Sequence, residues 1–385
     1  MIERPAFEYI VTADSLNELL DKLSDANRVA LDTEANSLHN YFDKVCLIQL
    51  SCDHHHFVID PLADFDLSPF IEWLRDRTLI LHGADFDLRM LRSTFGYRPN
   101  KGVFDTMLAA QLLNYERFGL GALVEQFCDI TLSKNSQKSN WARRPLSGTQ
   151  LTYAIDDTRF LEDIVDILTE QLVAKGRLDW HTEWCNRIID VTESDLVRDP
   201  DRAWRIKGLG GLDRRQLAFV RALWNWRDAE AQQIDRPAFK VLGNHQIIDL
   251  AINSENDATY LSSGHVRLPK NCVGPRLLAL ESAINDAHDL AVSEYPTTRQ
   301  KREKREPIAD TKALVESLKK SCGQRAEELD IQPSVLAPRA TLTAIARHQV
   351  QNFDDVYADC GLMDWQINEV RENVDRVLAK TATSK

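Results

Sequence analysis

RVALDTE at residues 28–34, KVCLIQLS at 44–51 and HHFVID at 55–60 decide how this chain reads. Each is a short run rich in Val, Ile and Leu without helical spacing, so the three predict neighbouring strands of one sheet. Ser68-Pro69 then reads as an N-cap and first-turn proline opening a helix through FIEWLRD, 70–76, and TLILH, 78–82, is a fourth strand of the buried type. From Ala84, the residues Phe86, Leu88, Leu91 and Phe95 mark a helix closed by Gly96, and TMLAAQLLN, 106–114, marks another after Asp105. The polar stretch SKNSQKSNWARRPLSG, 133–148, interrupts this pattern before a helix expected from about Thr149 through Leu172. The first unit is therefore α/β.

Beyond about Trp180 the texture changes to long amphipathic segments punctuated by Gly, Pro and Asn, which predicts an all-helical remainder. A boundary is expected near 195–210, and YPTTRQKREKREP, 295–307, reads as a charged linker between two helical units. The expected domains are 1–195, 209–295 and 308–385, in keeping with a chain of 385 residues. A 43% hydrophobic, 28% charged composition excludes collagen-like and wholly disordered classes. The formal charge of -12, from 47 basic and 59 acidic residues, argues against a generic polyanion binder, so any nucleic-acid site must be local. Seven scattered cysteines with no C-x-x-C pair suggest neither a disulfide framework nor a thiolate zinc site, which fits a reducing cytoplasm. The charged N-terminus MIERPAFEYI and the lack of a long apolar run predict a chain that is neither secreted nor membrane-spanning.

Three acidic motifs could carry chemistry. In LDTE, 31–34, strand alternation puts Asp32 and Glu34 on the same face at the end of a buried strand, where carboxylates are unusual unless they are used. In HGADFD, 82–87, a strand gives way to a helix, and Asp87 or Asp85 is equally explained by the helix dipole or an N-cap. In YAIDD, 153–157, Tyr153 and Asp157 stand one helical turn apart on one face, with Asp156 rotated by about 100°. Singly, each motif has a plain structural explanation. Gathered in one pocket, the carboxylates need a counter-charge, because two of them about 4 Å apart repel by about 4 kcal/mol at an effective dielectric of ~20. Oxygen-only donors favour Mg²⁺ or Mn²⁺, and a pair of such ions suits phosphodiester displacement.

LDTE, HGADFD and YAIDD, in this order, resemble the three motifs of the DEDD superfamily of 3′→5′ exonucleases, in the subclass with a Tyr in the third motif. The VALDTE and CLIQLS strands, IDPL at 59–62, FDTMLAA at 104–110 and the helical C-terminal half extend the resemblance to the ribonuclease D family over nearly the whole chain. That resemblance implies a ribonuclease-H-like exonuclease domain, a mixed sheet flanked by helices, with Asp32, Glu34, Asp87 and Asp157 binding two divalent ions, and Tyr153 orienting the attacking water. By motif, Asp85 and Asp156 become neighbours, while Asp105 is read as a structural N-cap. Residues 217–251 resemble HRDC domains, small helical bundles that assist nucleic-acid binding, and 308–385 resembles a divergent second copy. The implied substrate is RNA 3′ ends, such as tRNA precursors, with no protein partner and a monomeric state.

Arg198 to Arg227 holds eight Lys or Arg against three Asp, and Lys138, Arg143 and Arg144 flank Trp141, a combination suited to single strands. Together with His82, which ends a strand beside the acids, Lys138, Trp141, Arg143 and Arg144 are the expected RNA contacts. Trp224 and Trp226 are expected to pack the bundle. His54, His55 and His56 beside Cys52 read as a strand rather than a metal site, and KGLGGLD, 207–213, reads as entry to a helix capped by Asp213 and Gln216. Two rivals remain at this stage: a DNA 3′→5′ exonuclease of repair, and a catalytically silent nucleic-acid-binding scaffold.

Overall fold

The structure is a computed structural model describing residues 6–36, 38–133, 135–194, 199–255, 257, 260–261, 265–270, 272–296, 311–347, 357 and 360–382. The expected linker from residue 297 onward, and residues 195–198 of the expected boundary, lie outside that set. The chain divides into two compact units, one of residues 1–34, 45–193 and 306–385, the other of residues 35–44 and 194–305.

The first unit is built on a six-stranded sheet in the order β1-β4-β3-β2-β5-β6. The strands are β1 (Glu8–Ile10), β2 (Arg28–Ala35), β3 (Val45–Cys52), β4 (His55–Ile59), β5 (Thr78–Leu81) and β6 (Val103–Asp105). β3 and β4 form an antiparallel hairpin, while β1–β4, β2–β5 and β5–β6 are parallel, so the sheet is mixed as expected. Every residue of β3 is buried, which explains why VCLIQLSC reads as a continuous apolar run and not an alternating one. β1 and β6 escape the sequence reading because three residues cannot display a period.

Around the sheet lie α1 (Ala13–Lys22), α2 (Ser68–Arg75), α3 (Asp85–Phe95), α4 (Thr106–Leu112), α5 (Leu120–Cys128), α6 (Gly148–Asp156), α7 (Leu161–Ala174) and α8 (Leu178–Ser194). Two boundaries differ from expectation. Leu67, not Ser68, is the N-cap of α2, and the Ser68 N–H is taken by the Asp66 carboxylate at 2.9 Å. The single helix expected over 149–172 is broken between α6 and α7. There the Thr158 and Arg159 N–H groups both turn back onto the Ile155 carbonyl, and the Thr158 hydroxyl pairs with Ser51 Oγ on β3 at 2.7 Å. That side-chain bond competes with helix continuation and leaves Asp157 at the C-cap of α6. Among the described residues no strand follows β6, and no helix is long and apolar enough to cross a membrane.

The sequence separates 308–385 as its own helical unit, yet its helices share a core with the first unit. Leu318, Leu336, Ile345 and Val370 pack in one cluster with Leu112, Leu123, Leu168 and Leu172. Trp365 stacks on Trp180 with ring centroids 4.6 Å apart, and buried Arg177 donates to the carbonyls of Leu112 at 2.5 Å and of Leu329. The second unit has a separate core of Leu217, Phe219, Leu223, Trp224, Ile247, Leu250 and Leu280. Its long helix Arg214–Gln233 opens with the Asp213/Gln216 capping box that its sequence announces. Trp224 is buried and Trp226 packs against the same core.

Candidate active site

Asp32 and Glu34 project from the end of β2, and the alternation of the strand keeps them on one face while Leu31 and Thr33 are buried. The last residue pair between β2 and β5 is Ala30–Ile80. Beyond it the Thr33 N–H is taken not by a strand but by Asp87 Oδ1, at 2.9 Å, and the Thr33 hydroxyl donates to the same oxygen at 2.6 Å. Thr33 is a residue the sequence reading missed; its only signal was its place between the two acids.

Asp87 reaches this position because the β5–α3 turn is tied down. The Asp105 carboxylate accepts from Gly83 N at 3.0 Å and Ala84 N at 2.8 Å, and it caps α4 through Met107 N at 2.9 Å. Asp105 is thus the N-cap expected of it and also a clasp on the second motif. Gly83 holds φ +82°, and a Cβ there would lie 3.3 Å from Met107 Cε, so the turn requires glycine. His82 sits in the same turn, half-buried, with Nδ1 2.9 Å from Thr106 Oγ1, and burial lowers its pKa.

The third acid stands at the C-terminal end of α6. Tyr153 and Asp157 lie one turn apart as the spacing predicts, the Asp157 N–H donating back to the Tyr153 carbonyl at 3.3 Å. Carboxylate oxygens of Asp32, Glu34 and Asp157 all come within 4.8 Å of one another. Burial, reinforced by repulsion from its neighbours, raises all four acids: Glu34 to about 9, Asp157 to about 7, and Asp32 well above the carboxylate range. Asp87 is pushed up to about 7 by burial although the Thr33 bonds pull the other way. Burial and the surrounding carboxylates likewise raise the Tyr153 hydroxyl, which stays protonated. A donor set of carboxylate oxygens that cannot comfortably hold its own charge fits hard divalent cations.

The adjacent acids are occupied elsewhere. Asp85 is exposed and forms a two-pronged pair with Arg89, both distances 2.9 Å, and Asp156 pairs with Arg159 at 2.8 Å. Of the expected RNA contacts, Lys138 and Arg143 are exposed on the segment between α5 and α6. Trp141 and Arg144 require correction. Trp141 is 1% exposed and has no face to offer a base, and the Arg144 guanidinium is consumed by internal partners, Asp60 foremost at 2.5 and 2.6 Å. In the basic stretch of the second unit, Arg227 is likewise buried, bonded to the Leu242 carbonyl and Asn244. His55 and His56 lie in β4 as expected, His56 within 2.9 Å of Ser51 Oγ, whereas His54 falls in the turn before it at φ 63°.

Comparison with known proteins places this geometry in a family. A 3′-5′ exonuclease domain family matches residues 7–173, and the HRDC domain family matches residues 216–263. The chain is 32% identical to ribonuclease D of Xanthomonas oryzae pv. oryzae over 86% of its length and 89% of that protein. It is 29% identical to ribonuclease D of Zymomonas mobilis, covering 89% of this chain and 88% of the relative. Among solved structures, Escherichia coli RNase D shares the fold, with a TM-score of 0.74 at 24% identity, over 97% of this chain and 99% of that one. With an exonuclease domain, an HRDC domain and homology along nearly its full length, the chain belongs to the ribonuclease D family.

Proposed function

We propose that this 3′→5′ exoribonuclease removes nucleotides one at a time from RNA 3′ ends, tRNA precursors among them, releasing nucleoside 5′-monophosphates, and that Asp32, Glu34, Asp87, Tyr153 and Asp157 carry the reaction. The observation that supports this most directly is the convergence of Asp32, Glu34 and Asp157 oxygens within 4.8 Å. In this reading the four carboxylates hold two divalent ions, Mg²⁺ or Mn²⁺. Bound there, such ions supply charge stabilisation to the attacking and departing oxygens of an in-line displacement. The protein's own part is to fix the acids: Thr33 aims Asp87, the Asp105 clasp sets the turn that carries it, and the last turn of α6 carries Asp157 together with Tyr153. Tyr153, protonated and one turn from Asp157, orients the water through its hydroxyl.

The HRDC segment at 216–263 and a related bundle at 308–385 serve as RNA-holding surfaces, with Lys138, Arg143 and His82 nearer the 3′ end. The enzyme acts as a monomer in the cytoplasm, a reading that its seven scattered cysteines without a C-x-x-C pair support.

End-labelled single-stranded RNA and DNA of one sequence, digested with Mg²⁺ or Mn²⁺ present, provide the test. Asp157→Asn is expected to lower turnover on RNA by about two orders of magnitude or more with little change in RNA affinity, whereas Asp156→Asn retains most activity. Parental turnover by Asp157→Asn would sink the site, and faster cleavage of DNA than RNA would move the enzyme to the DNA-repair reading.

A further inference from the structure

Arg144, which the sequence offers as an RNA contact, has no donor left for a phosphate. Nε and Nη2 form a fork on Asp60 at 2.5 and 2.6 Å, Nη2 also donates to the Cys46 carbonyl at 2.7 Å, and Nη1 donates to the carbonyls of Trp141 at 2.7 Å and Arg143 at 3.0 Å. All five guanidinium N–H groups thus have acceptors inside the protein. Asp60, 4% exposed just past β4, is equally saturated: Tyr9 Oη donates to it at 2.6 Å and Leu62 N at 3.0 Å. So complete a network around a charged pair fixes geometry more reliably than it adds stability.

What it fixes is the approach to α6. By gripping the Trp141 carbonyl and the β3 main chain together, Arg144 sets the indole of Trp141 into a cluster with Cys46, Leu47, Val58, Ala154 and Ile155. That indole backs the Tyr153 ring, with centroids 6.0 Å apart and planes tilted by 36°. Three residues beyond Arg144, the Ser147/Gln150 capping box starts the helix that carries Tyr153.

We propose that the Asp60–Arg144 pair is a positioning device for the reaction, acting through Trp141 to hold the Tyr153 hydroxyl where it orients the attacking water, and that it does not bind RNA. This rests on the role given to Tyr153 above. Lysine at position 144 would keep the charge and lose the planar fork.

A kinetic cycle of parent, Arg144→Lys, Tyr153→Phe and the double variant, on short single-stranded RNA with Mg²⁺, tests it. Arg144→Lys is expected to lower kcat about tenfold with KM near the parental value, since small misplacements of an orienting group are costly. In the Tyr153→Phe background, where no hydroxyl remains to misplace, the same change is expected to lower kcat by less than about twofold. An equal loss in both backgrounds overturns the proposal and leaves a purely structural pair. A raised KM with preserved kcat overturns it in favour of RNA binding. Parental turnover by Tyr153→Phe alone is a different failure, that of the site reading itself. If Arg144→Lys does not fold, Asp60→Asn, which keeps the side-chain shape but turns one acceptor of the fork into a donor, goes through the same cycle with the same criteria.

Discussion

Asp87 is pulled in two directions, steadied by two Thr33 donors on one oxygen yet pushed up to about 7 by burial. Asp157, near the same value, and Glu34, near 9, share the condition, burial being the largest cause in each. The consequence for stability has a definite sign. From about pH 4, where unfolded carboxyls lose their protons, up through these raised values, the folded protein binds more protons than the unfolded chain, so the contribution of the cluster to stability falls as pH rises. Cations that bind the ionised acids reverse this, and they compete poorly when the acids are protonated. Mg²⁺ is therefore expected to raise the melting temperature in EDTA-stripped protein substantially at pH 8 and little at pH 5, measured by calorimetry at both pH values. An Mg²⁺ increment independent of pH would contradict the shared-cage picture.

Among elements, the junctions matter more than the helices and strands they join. α3 begins where it does because Asp105 takes the Gly83 and Ala84 N–H groups and Gly83 adopts φ +82°. Gly83→Ala places a side chain in that left-handed turn and against Met107, which is expected to destabilise by about 1–2 kcal/mol and to displace Asp87. Urea unfolding read beside turnover would show both losses; a variant with parental stability would mean that the turn tolerates a Cβ.

The molecule as a whole is organised as two compact units rather than as three stretches of sequence. Because 306–385 belongs to the compact unit that holds the exonuclease sheet, truncation at about residue 305 strips apolar cover from Leu112, Leu168 and Leu172. A point change probes the same dependence gently: Trp365, 3% exposed and stacked on Trp180, is expected to cost about 3–5 kcal/mol when replaced by Ala. Thermal unfolding followed through loss of nuclease activity would register that change if the C-terminal helices and the exonuclease sheet melt together. A Trp365→Ala protein whose nuclease unit melts at the parental temperature would show that they do not.

The sequence by itself determined strands β2 to β5, the α/β class and the pairs Asp32–Glu34 and Tyr153–Asp157, because the periods 2 and 3.6 are local properties of the backbone. It left Asp85 against Asp87, and Asp156 against Asp157, open, since that choice depends on where Arg89 and Arg159 find their partners. Trp141 and Arg144 misled for a similar reason: a basic, aromatic loop has the same composition whether it faces solvent or folds onto Asp60 and Tyr153. An amphipathic helix announces that one face must be buried but not against what, so only tertiary packing could decide that residues 306–385 share the exonuclease core.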